Sequence, residues 1–283
     1  MCQEGLELTF FSATYAIIAL VFAIVHHYFT RFFMKRNYKF IISYDGTRFY
    51  GWEKQPGKEM TIQGKLETVL SKMTNAPADS PVSVIGAGRT DAGVHARATV
   101  ANAILDTDMT EEEIQVYMNT YLPEDISVNE VRICSDRFHA RYNALGKTYR
   151  YTVWYGISKP VFDRKYVTVL TQKPDVNKMR AAAQFLIGTH DYKSFCGNKK
   201  MKKSTVRCVD TINIEESGNY IRIYFHGNGF LQNMVRILTG TLLEVGYGNI
   251  PVDSVKEILE ACDRQKAGPT APPQGLCMMK VDY

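Results

Sequence analysis

The sequence predicts an α+β fold made of two ferredoxin-like (βαββαβ) halves, because three of its features agree. First, the same order of predicted elements occurs twice: strand, helix, two strands, helix, strand. Second, several predicted strands alternate apolar and polar residues, as antiparallel strands with one solvated face do. Third, the 283 residues are 45% hydrophobic and 22% charged, which is a globular composition with enough apolar surface to form a core.

The first copy of this pattern begins directly after Met34 and ends near Ile133. Apolar residues recur at helical spacing in its first predicted helix, and Thr110 with Glu113 forms a capping box at the start of the second. In chain order, the predicted elements are strand Tyr38–Tyr44, helix Thr61–Met73, strands Val82–Ile85 and Ala98–Leu105, helix Thr110–Leu122 and strand Ser127–Ile133.

The second copy begins at Thr148 and contains one additional helix, Val252–Ala261. Its two middle strands are separated by Ser217, Gly218 and Asn219, a sequence typical of a tight hairpin. The other elements are strand Thr148–Trp154, helix Asp175–Ile187, strands Val206–Glu215 and Tyr220–His226, helix Phe230–Val245 and strand Leu276–Asp282.

We therefore expect an N-terminal α/β subdomain at 34–140 and a C-terminal α/β subdomain at 141–283, with residues 1–33 as a separate extension. Two antiparallel sheets lying side by side would leave a central cleft between the halves. The formal net charge of +5 is compatible with a basic cleft and a polyanionic partner.

The N-terminal extension is hydrophobic, with no charged side chain between Leu8 and Thr30. One interpretation is a single membrane helix, after which Arg31 and Lys35 would keep the main body in the cytoplasm. The favoured interpretation is a start-site artefact with translation beginning at Met34, because a strand pattern follows at once. Both place the body in the cytoplasm, and a membrane is a partner only under the first.

Cysteine and histidine spacing predicts neither a disulfide framework nor a metal site. The six cysteines contain no CxxC pair, and no HExxH motif occurs; His95, His139, His190 and His226 are dispersed. A reducing compartment is therefore expected.

The segment Gly86–Ala96, GAGRTDAGVHA, contains the first candidate functional residues. Three glycines and three alanines cannot form a core by themselves, so a close approach to the backbone is expected here. Among them lie Arg89, Asp91 and His95. Asp91 as the cap of an ordinary turn is the alternative interpretation, and a phosphate-binding loop is a weaker one because no GK[ST] follows.

Two later segments also combine cations with aromatic or apolar residues. Gly227–Gly240 places Arg236 outside an apolar helix face. In Phe138–Tyr151 the aromatic residues alternate with cations that include Arg141, a mixture that suits RNA because bases stack on rings while cations contact phosphates. A half-buried strand gives a similar alternation without any function.

Five segments carry a combined pattern, in the order YDGTRFYGW (Tyr44–Trp52), GAGRTDAGVHA (Gly86–Ala96), FHARYNALGKTYRY (Phe138–Tyr151), GNGFLQNMVRILTG (Gly227–Gly240) and AGPTAPPQGL (Ala267–Leu276). In this combination the chain resembles the TruA-type tRNA pseudouridine synthases, over about Lys35 to Tyr283. This resemblance implies an isomerase that converts uridine to pseudouridine in the anticodon stem-loop of tRNA, at positions 38, 39 and 40. It also implies a cytoplasmic homodimer that binds tRNA and needs no cofactor or metal.

The resemblance also implies a role for each matching residue. Asp91 is the expected catalytic aspartate, and Arg236 is the arginine that pairs with it. Tyr149 packs on the target base, Arg89 helps to flip the nucleotide, and Leu276 lines the same pocket. Whether Asp91 attacks C1′, adds to C6 or abstracts a ribose proton stays open.

His95 and Arg141 complete the predicted substrate-binding set. The resemblance also implies one small departure: Glu53–Lys54 follows Gly51–Trp52 where many family members carry glutamine or another neutral residue. The alternative function is a non-catalytic tRNA- or RNA-binding protein on the same fold. The presence of all four residues Arg89, Asp91, Tyr149 and Arg236 argues against it.

Overall fold

The computed structural model describes residues 35–283, so the hypotheses on residues 1–33 lie outside the described residues. The described part is a mixed α+β structure, as the sequence predicts. Its strands are β1 (Arg36–Tyr44), β2 (Ile85–Gly86), β3 (His95–Leu105), β4 (Ile126–Cys134), β5 (Gly146–Tyr155), β6 (Thr168–Leu170), β7 (Gly188–Asp191), β8 (Val206–Ser217), β9 (Tyr220–Gly227) and β10 (Leu276–Asp282). Its helices are α1 (Ile62–Met73), α2 (Glu111–Tyr121), α3 (Val176–Gln184), α4 (Met234–Gly246) and α5 (Ser254–Glu260).

All ten strands belong to one continuous sheet, whereas the sequence predicts two separate antiparallel sheets. The strand order is β4-β1-β3-β10-β5-β9-β8-β7, with β2 paired to β3 and β6 paired to β5. The halves join where β10 runs parallel to β3, opposite His95 and Ala96. β10 can pair with this part of β3 because β2 occupies the same edge only at Ala101 and Asn102.

The strand predicted at Val82–Ile85 is shorter and later than expected. Side chains of α1 take the backbone donors that a longer strand would use: Val82 N–H donates to Ser71 Oγ, and Val84 N–H donates to Glu67 Oε1. Only Ile85 and Gly86 remain to pair with β3.

Helix starts follow the sequence signals closely, with one exception. Thr110 and Glu113 form the predicted capping box of α2. In contrast, α4 begins at Met234 rather than Phe230, because Asn233 adopts a left-handed backbone with φ 58°. Within residues 35–283, no helix combines the length and apolar character needed to cross a membrane.

Alternate residues of the central strands form the core. Phe40 of β1, Tyr151 of β5 and Ile223 of β9 are completely or almost completely buried and belong to one continuous hydrophobic cluster that also includes helix residues. Tyr149 lies two residues before Tyr151 and therefore points to the same face of the sheet. Tyr149 on this face is a residue of the sheet that lies close to Asp91.

Candidate active site

The loop between β2 and β3 carries Asp91 and is fixed by contacts on both sides. Ala87 N–H donates to Val100 O at 2.7 Å, which anchors the start of the loop to β3. Trp52 N–H donates to Thr90 O at 3.1 Å, and the Thr90 hydroxyl lies 2.8 Å from the buried Tyr44 hydroxyl. These bonds hold the residue next to Asp91, so the carboxylate has a defined position.

Arg236 extends from the first turn of α4 to Asp91. Its Nη1 lies 3.2 Å from Asp91 Oδ2 and 3.2 Å from Asn233 Oδ1, and its Nε donates to Ala271 O at 2.7 Å. The Arg236 side chain is 15% exposed and that of Asp91 is 32% exposed. Because the guanidinium is held by three acceptors, the carboxylate receives a positive partner in a fixed orientation while one side stays open to solvent.

The segment before β10 lies close to α4 because two glycines permit it. A Cβ on Gly240 would overlap the Pro269 carbonyl, and a Cβ on Gly268 would lie 2.7 Å from Thr241 Cα. Gly268 N–H donates to the Thr241 hydroxyl at 2.9 Å. This packing places the Ala271 carbonyl where Arg236 can use it.

Tyr149 lies near the Asp91 carboxylate, and its side chain is buried. Its ring packs edge-on against Phe230 with 5.2 Å between centroids. Burial raises the pKa of the Tyr149 hydroxyl, and the nearby charge of Asp91 raises it further. The tyrosine is therefore neutral at physiological pH. Leu276 is also buried, on β10 opposite Tyr151.

Arg89 and Arg141 lie at exposed positions. Arg89 forms an ion pair with Glu53 at 2.6 Å, and the two side chains are 59% and 43% exposed. Glu53, which the sequence analysis singles out, is thus the partner of Arg89. Arg141 is exposed in the segment before β5, and its positive charge lowers the pKa of Lys147.

Lys147 is a site residue that sequence reasoning did not single out. Its Nζ donates to Ala87 O at 2.8 Å, at the start of the Asp91 loop. Burial lowers the pKa of Lys147 to about 8, and the charges of Arg141 and Arg207 act in the same direction. Its position two residues before Tyr149 on the same strand was the available signal, since both point to one face.

The His95 side chain is directed to other partners. Its Nδ1 accepts from Gly46 N–H at 3.0 Å, so the proton is on Nε2, which lies 3.1 Å from Lys165 O. Burial lowers the pKa of His95 although the Asp45 carboxylate opposes this effect. His95 lines a cavity of about 530 Å³, whose lining does not include Asp91. The structure therefore brings Asp91, Arg236 and Tyr149 together and places the His95 ring elsewhere.

In the part of the chain that the structure describes, no three His, Cys, Asp or Glu side chains are grouped to hold a metal ion. The arrangement instead combines an accessible carboxylate, its arginine partner, a buried neutral tyrosine and nearby cations. A carboxylate in this setting can act as a nucleophile or a base. The fold and the site thus define an α+β protein in which a solvent-accessible carboxylate is paired with an arginine from a distant segment.

Comparison with known proteins identifies the family. The family model described as tRNA pseudouridine synthase matches residues 40–143 and 182–283. The tRNA pseudouridine synthase A 1 of Clostridium tetani is 47% identical over 248 residues, which is 88% of this chain and 100% of that protein. Two relatives from Bacillus species give similar values. The tRNA pseudouridine synthase A of Bacillus sp. is 46% identical over 232 residues, 82% of this chain and 93% of that protein. The tRNA pseudouridine synthase A 2 of Bacillus cereus is 42% identical over 247 residues, 87% and 99%.

The chain belongs to the tRNA pseudouridine synthase family, a family of isomerases. The resemblance found in the sequence is thereby confirmed.

Proposed function

We propose that this protein converts uridine to pseudouridine at positions 38, 39 and 40 in the anticodon stem-loop of tRNA, with Asp91 as the catalytic residue. The observation that carries the proposal is the contact between Asp91 and Arg236 beside the buried Tyr149. Membership of the tRNA pseudouridine synthase family supports the reaction and the substrate class.

The chemistry requires little beyond a well-placed carboxylate. Pseudouridine forms when the C1′–N1 bond breaks, the uracil rotates, and C1′ bonds to C5, so product and substrate are isomers. Asp91 acts by attack on C1′, by addition to C6 or by removal of a ribose proton, and each route needs the ionised carboxylate. Arg236 Nη1, 3.2 Å from Asp91 Oδ2, holds a positive partner in a fixed position beside the carboxylate, which is the role we assign to Arg236.

The target base must leave the RNA stack before Asp91 can reach it, which costs a few kcal/mol. Stacking on an aromatic ring returns about 1–3 kcal/mol per base. Tyr149 supplies that ring, and its contact with Phe230 keeps it in place. Leu276 forms another wall of the same pocket. The Arg89 side chain is 59% exposed, so it can leave its surface ion pair with Glu53 and enter the RNA helix as the base leaves.

Two ferredoxin-like subdomains, 34–140 and 141–283, account for the organisation of the chain. The strand order supports this division. In the first half the neighbouring strands are β4, β1, β3 and β2, and in the second half the corresponding strands β10, β5, β9 and β8 are neighbours in the same order. Asp91 comes from the first half and Arg236 from the second, so the active site lies in a central cleft between them. Arg141 lies at this boundary and contacts substrate phosphate.

His95 supports the loop that follows Tyr44 rather than contacting RNA, since both of its ring nitrogens have partners. The family resemblance further favours a cytoplasmic homodimer that uses no cofactor or metal.

A non-catalytic RNA-binding protein is the second candidate, because the same cations would bind RNA without any reaction. Mapping of pseudouridine on tRNA incubated with the purified protein distinguishes the two. We expect product with the natural protein and none with Asp91→Asn, while tRNA affinity changes less than about tenfold. Asp79→Asn, an exposed loop variant, is the control and should keep full activity. Comparable turnover in Asp91→Asn would refute the role of Asp91, and no product from the natural protein would favour the binding function.

A further inference from the structure

Lys147 is a largely buried cation that points towards the candidate active site. Its Nζ uses one donor on Ala87 O at 2.8 Å. A Cβ placed on Gly88 would lie 3.5 Å from this nitrogen and 3.9 Å from the Tyr149 hydroxyl, so the ammonium and the hydroxyl border the same space. An ammonium group has three donors, and two are therefore available to a ligand.

The surroundings of Lys147 are positively charged. Arg141 approaches from the segment before β5, and Arg207 from β8, and both lower the pKa of Lys147. Arg207 Nη1 donates to Ser204 O and Val206 O, which orients its guanidinium. Within residues 35–283, Lys147 has no carboxylate partner at ion-pair distance.

A buried cation among other cations is unfavourable unless an anion completes the arrangement. We propose that Lys147, Arg141 and Arg207 form a phosphodiester-binding subsite, in which Lys147 positions the RNA backbone next to the nucleotide that meets Asp91. This inference rests on the proposed function and adds to it a specific contact. Lys147 also holds the Ala87 carbonyl, so a bound phosphate and the Asp91 loop would share one positioning residue.

The subsite makes RNA affinity depend on pH in a defined window. The charges of Arg141 and Arg207 act on Lys147, and the Tyr149 hydroxyl, whose pKa is raised, borders the same space. An arginine stays protonated and this tyrosine stays neutral between pH 7 and pH 9. With a pKa of about 8, Lys147 loses its charge in this interval. If the phosphate binds only the ammonium form, Kd rises about tenfold from pH 7 to pH 9.

The test uses the full chain and a labelled anticodon stem-loop RNA in which cytidine replaces the target uridines, so that no reaction occurs. Fluorescence anisotropy gives Kd at pH 7 and pH 9. We expect the tenfold rise in the natural protein and a flat profile for Lys147→Arg, because arginine does not titrate there. Lys147→Met should bind weakly at both pH values, with the salt dependence reduced by about one phosphate contact. Lys256→Met, an exposed lysine of α5, should behave as the natural protein.

A pH dependence that persists in Lys147→Arg would overturn the inference, as would unchanged affinity and salt dependence in Lys147→Met. If Lys147→Met does not fold, the comparison of the natural protein with Lys147→Arg decides alone. The proposed function is tested separately on RNA that contains uridine. Absence of pseudouridine on that RNA contradicts the proposed function. Normal product together with a Kd that does not change with pH in the natural protein contradicts only the subsite.

Discussion

Arg236 Nη1 lies 3.2 Å from Asp91 Oδ2, although the two residues are 145 positions apart in the chain. One belongs to the loop before β3 and the other to the first turn of α4, so the pair joins the two halves of the molecule. The contact forms only when both halves and the segment around Ala271 are in place. The Asp91–Arg236 contact is thus a property of the complete fold.

Arg236→Lys is expected to impair turnover more than binding. A lysine ammonium cannot reproduce the planar set of bonds from Nε to Ala271 and from Nη1 to Asp91 and Asn233. We expect kcat to fall at least about tenfold with a smaller change in tRNA affinity, since the lost bonds orient the carboxylate. Single-turnover rates and equilibrium binding measure the two effects.

Arg180→Lys is the matched control for Arg236→Lys. Arg180 also donates from Nε to a backbone carbonyl, Ile214 O at 3.1 Å, and from Nη1 to Asn177 Oδ1 at 3.1 Å, but it lies away from Asp91. The Arg180→Lys variant should keep the turnover of the natural protein. Loss confined to tRNA affinity in Arg236→Lys would contradict the positioning role.

Glu53→Gln is expected to strengthen RNA binding. Glu53 holds Arg89 in an exposed ion pair at 2.6 Å, and RNA phosphate must compete with that carboxylate for the guanidinium. Exposed pairs are weak, so the gain in affinity should be about two- to fivefold at low salt and should disappear at high salt. Titrations of tRNA at two salt concentrations give this comparison.

Glu130→Gln removes the carboxylate of another exposed pair, with Arg132 at 2.8 Å, and tests whether charge alone explains the gain. An equal increase in both variants would point to net charge, and no increase in Glu53→Gln would show that the pair does not restrain Arg89.

The sequence predicts most local elements because their signals are local. The capping box at Thr110, the hairpin at Gly218 and the alternation in β5 depend on residues only a few positions apart. Contacts between distant segments decide the rest. The junction of β10 with β3 depends on how little of β3 is covered by β2, and strand patterns do not contain that information.

The same limit applies to the site. Only the family resemblance implies the pairing of Asp91 with Arg236. The sequence pattern places Arg236 in the middle of a predicted helix, where an arginine is usually solvated, and gives it no partner. Lys147 was visible only as one cation among several in an aromatic segment. Its significance comes from the Ala87 carbonyl and from Arg207 on a different strand, which the sequence does not place nearby.

His95 should make the protein less stable in mild acid. Burial holds the pKa of folded His95 below its ordinary value of 6.5, so the unfolded chain binds the proton more strongly. Stability is therefore complete above about pH 6.5 and falls as pH decreases towards the folded pKa. Burial raises the pKa of Asp45, but its hydrogen bonds with Thr47 and Tyr166 together outweigh burial and lower the pKa below 3.8. The stability that depends on ionised Asp45 is therefore lost only at more acidic pH.

Thermal unfolding of the natural protein and of His95→Gln tests this, because glutamine retains one donor and one acceptor but does not titrate. The decrease in Tm between pH 7 and pH 5 should be smaller in the variant. Equal decreases in both proteins would show that other groups cause the acid sensitivity.

Gly240→Ala is expected to separate the segment before β10 from α4. A Cβ at this position would overlap the Pro269 carbonyl, which is backbone and cannot rotate away as a side chain does. Overpacking of this kind usually costs about 1–3 kcal/mol. The Ala271 carbonyl would move with Pro269, so Arg236 would lose the bond from Nε and hold Asp91 less firmly.

We therefore expect Gly240→Ala to lower both the free energy of unfolding, measured by chemical denaturation, and the turnover rate. Turnover is measured at a temperature where the variant is folded. Gly229→Ala is the control for stability, because a Cβ there meets only the Arg207 side chain at 3.8 Å. If Gly240→Ala loses stability but its folded fraction turns over at the natural rate, the Ala271 carbonyl is not needed to orient Arg236. If both quantities decrease while Gly229→Ala keeps its stability, the close approach of the two backbones supports the Asp91–Arg236 contact.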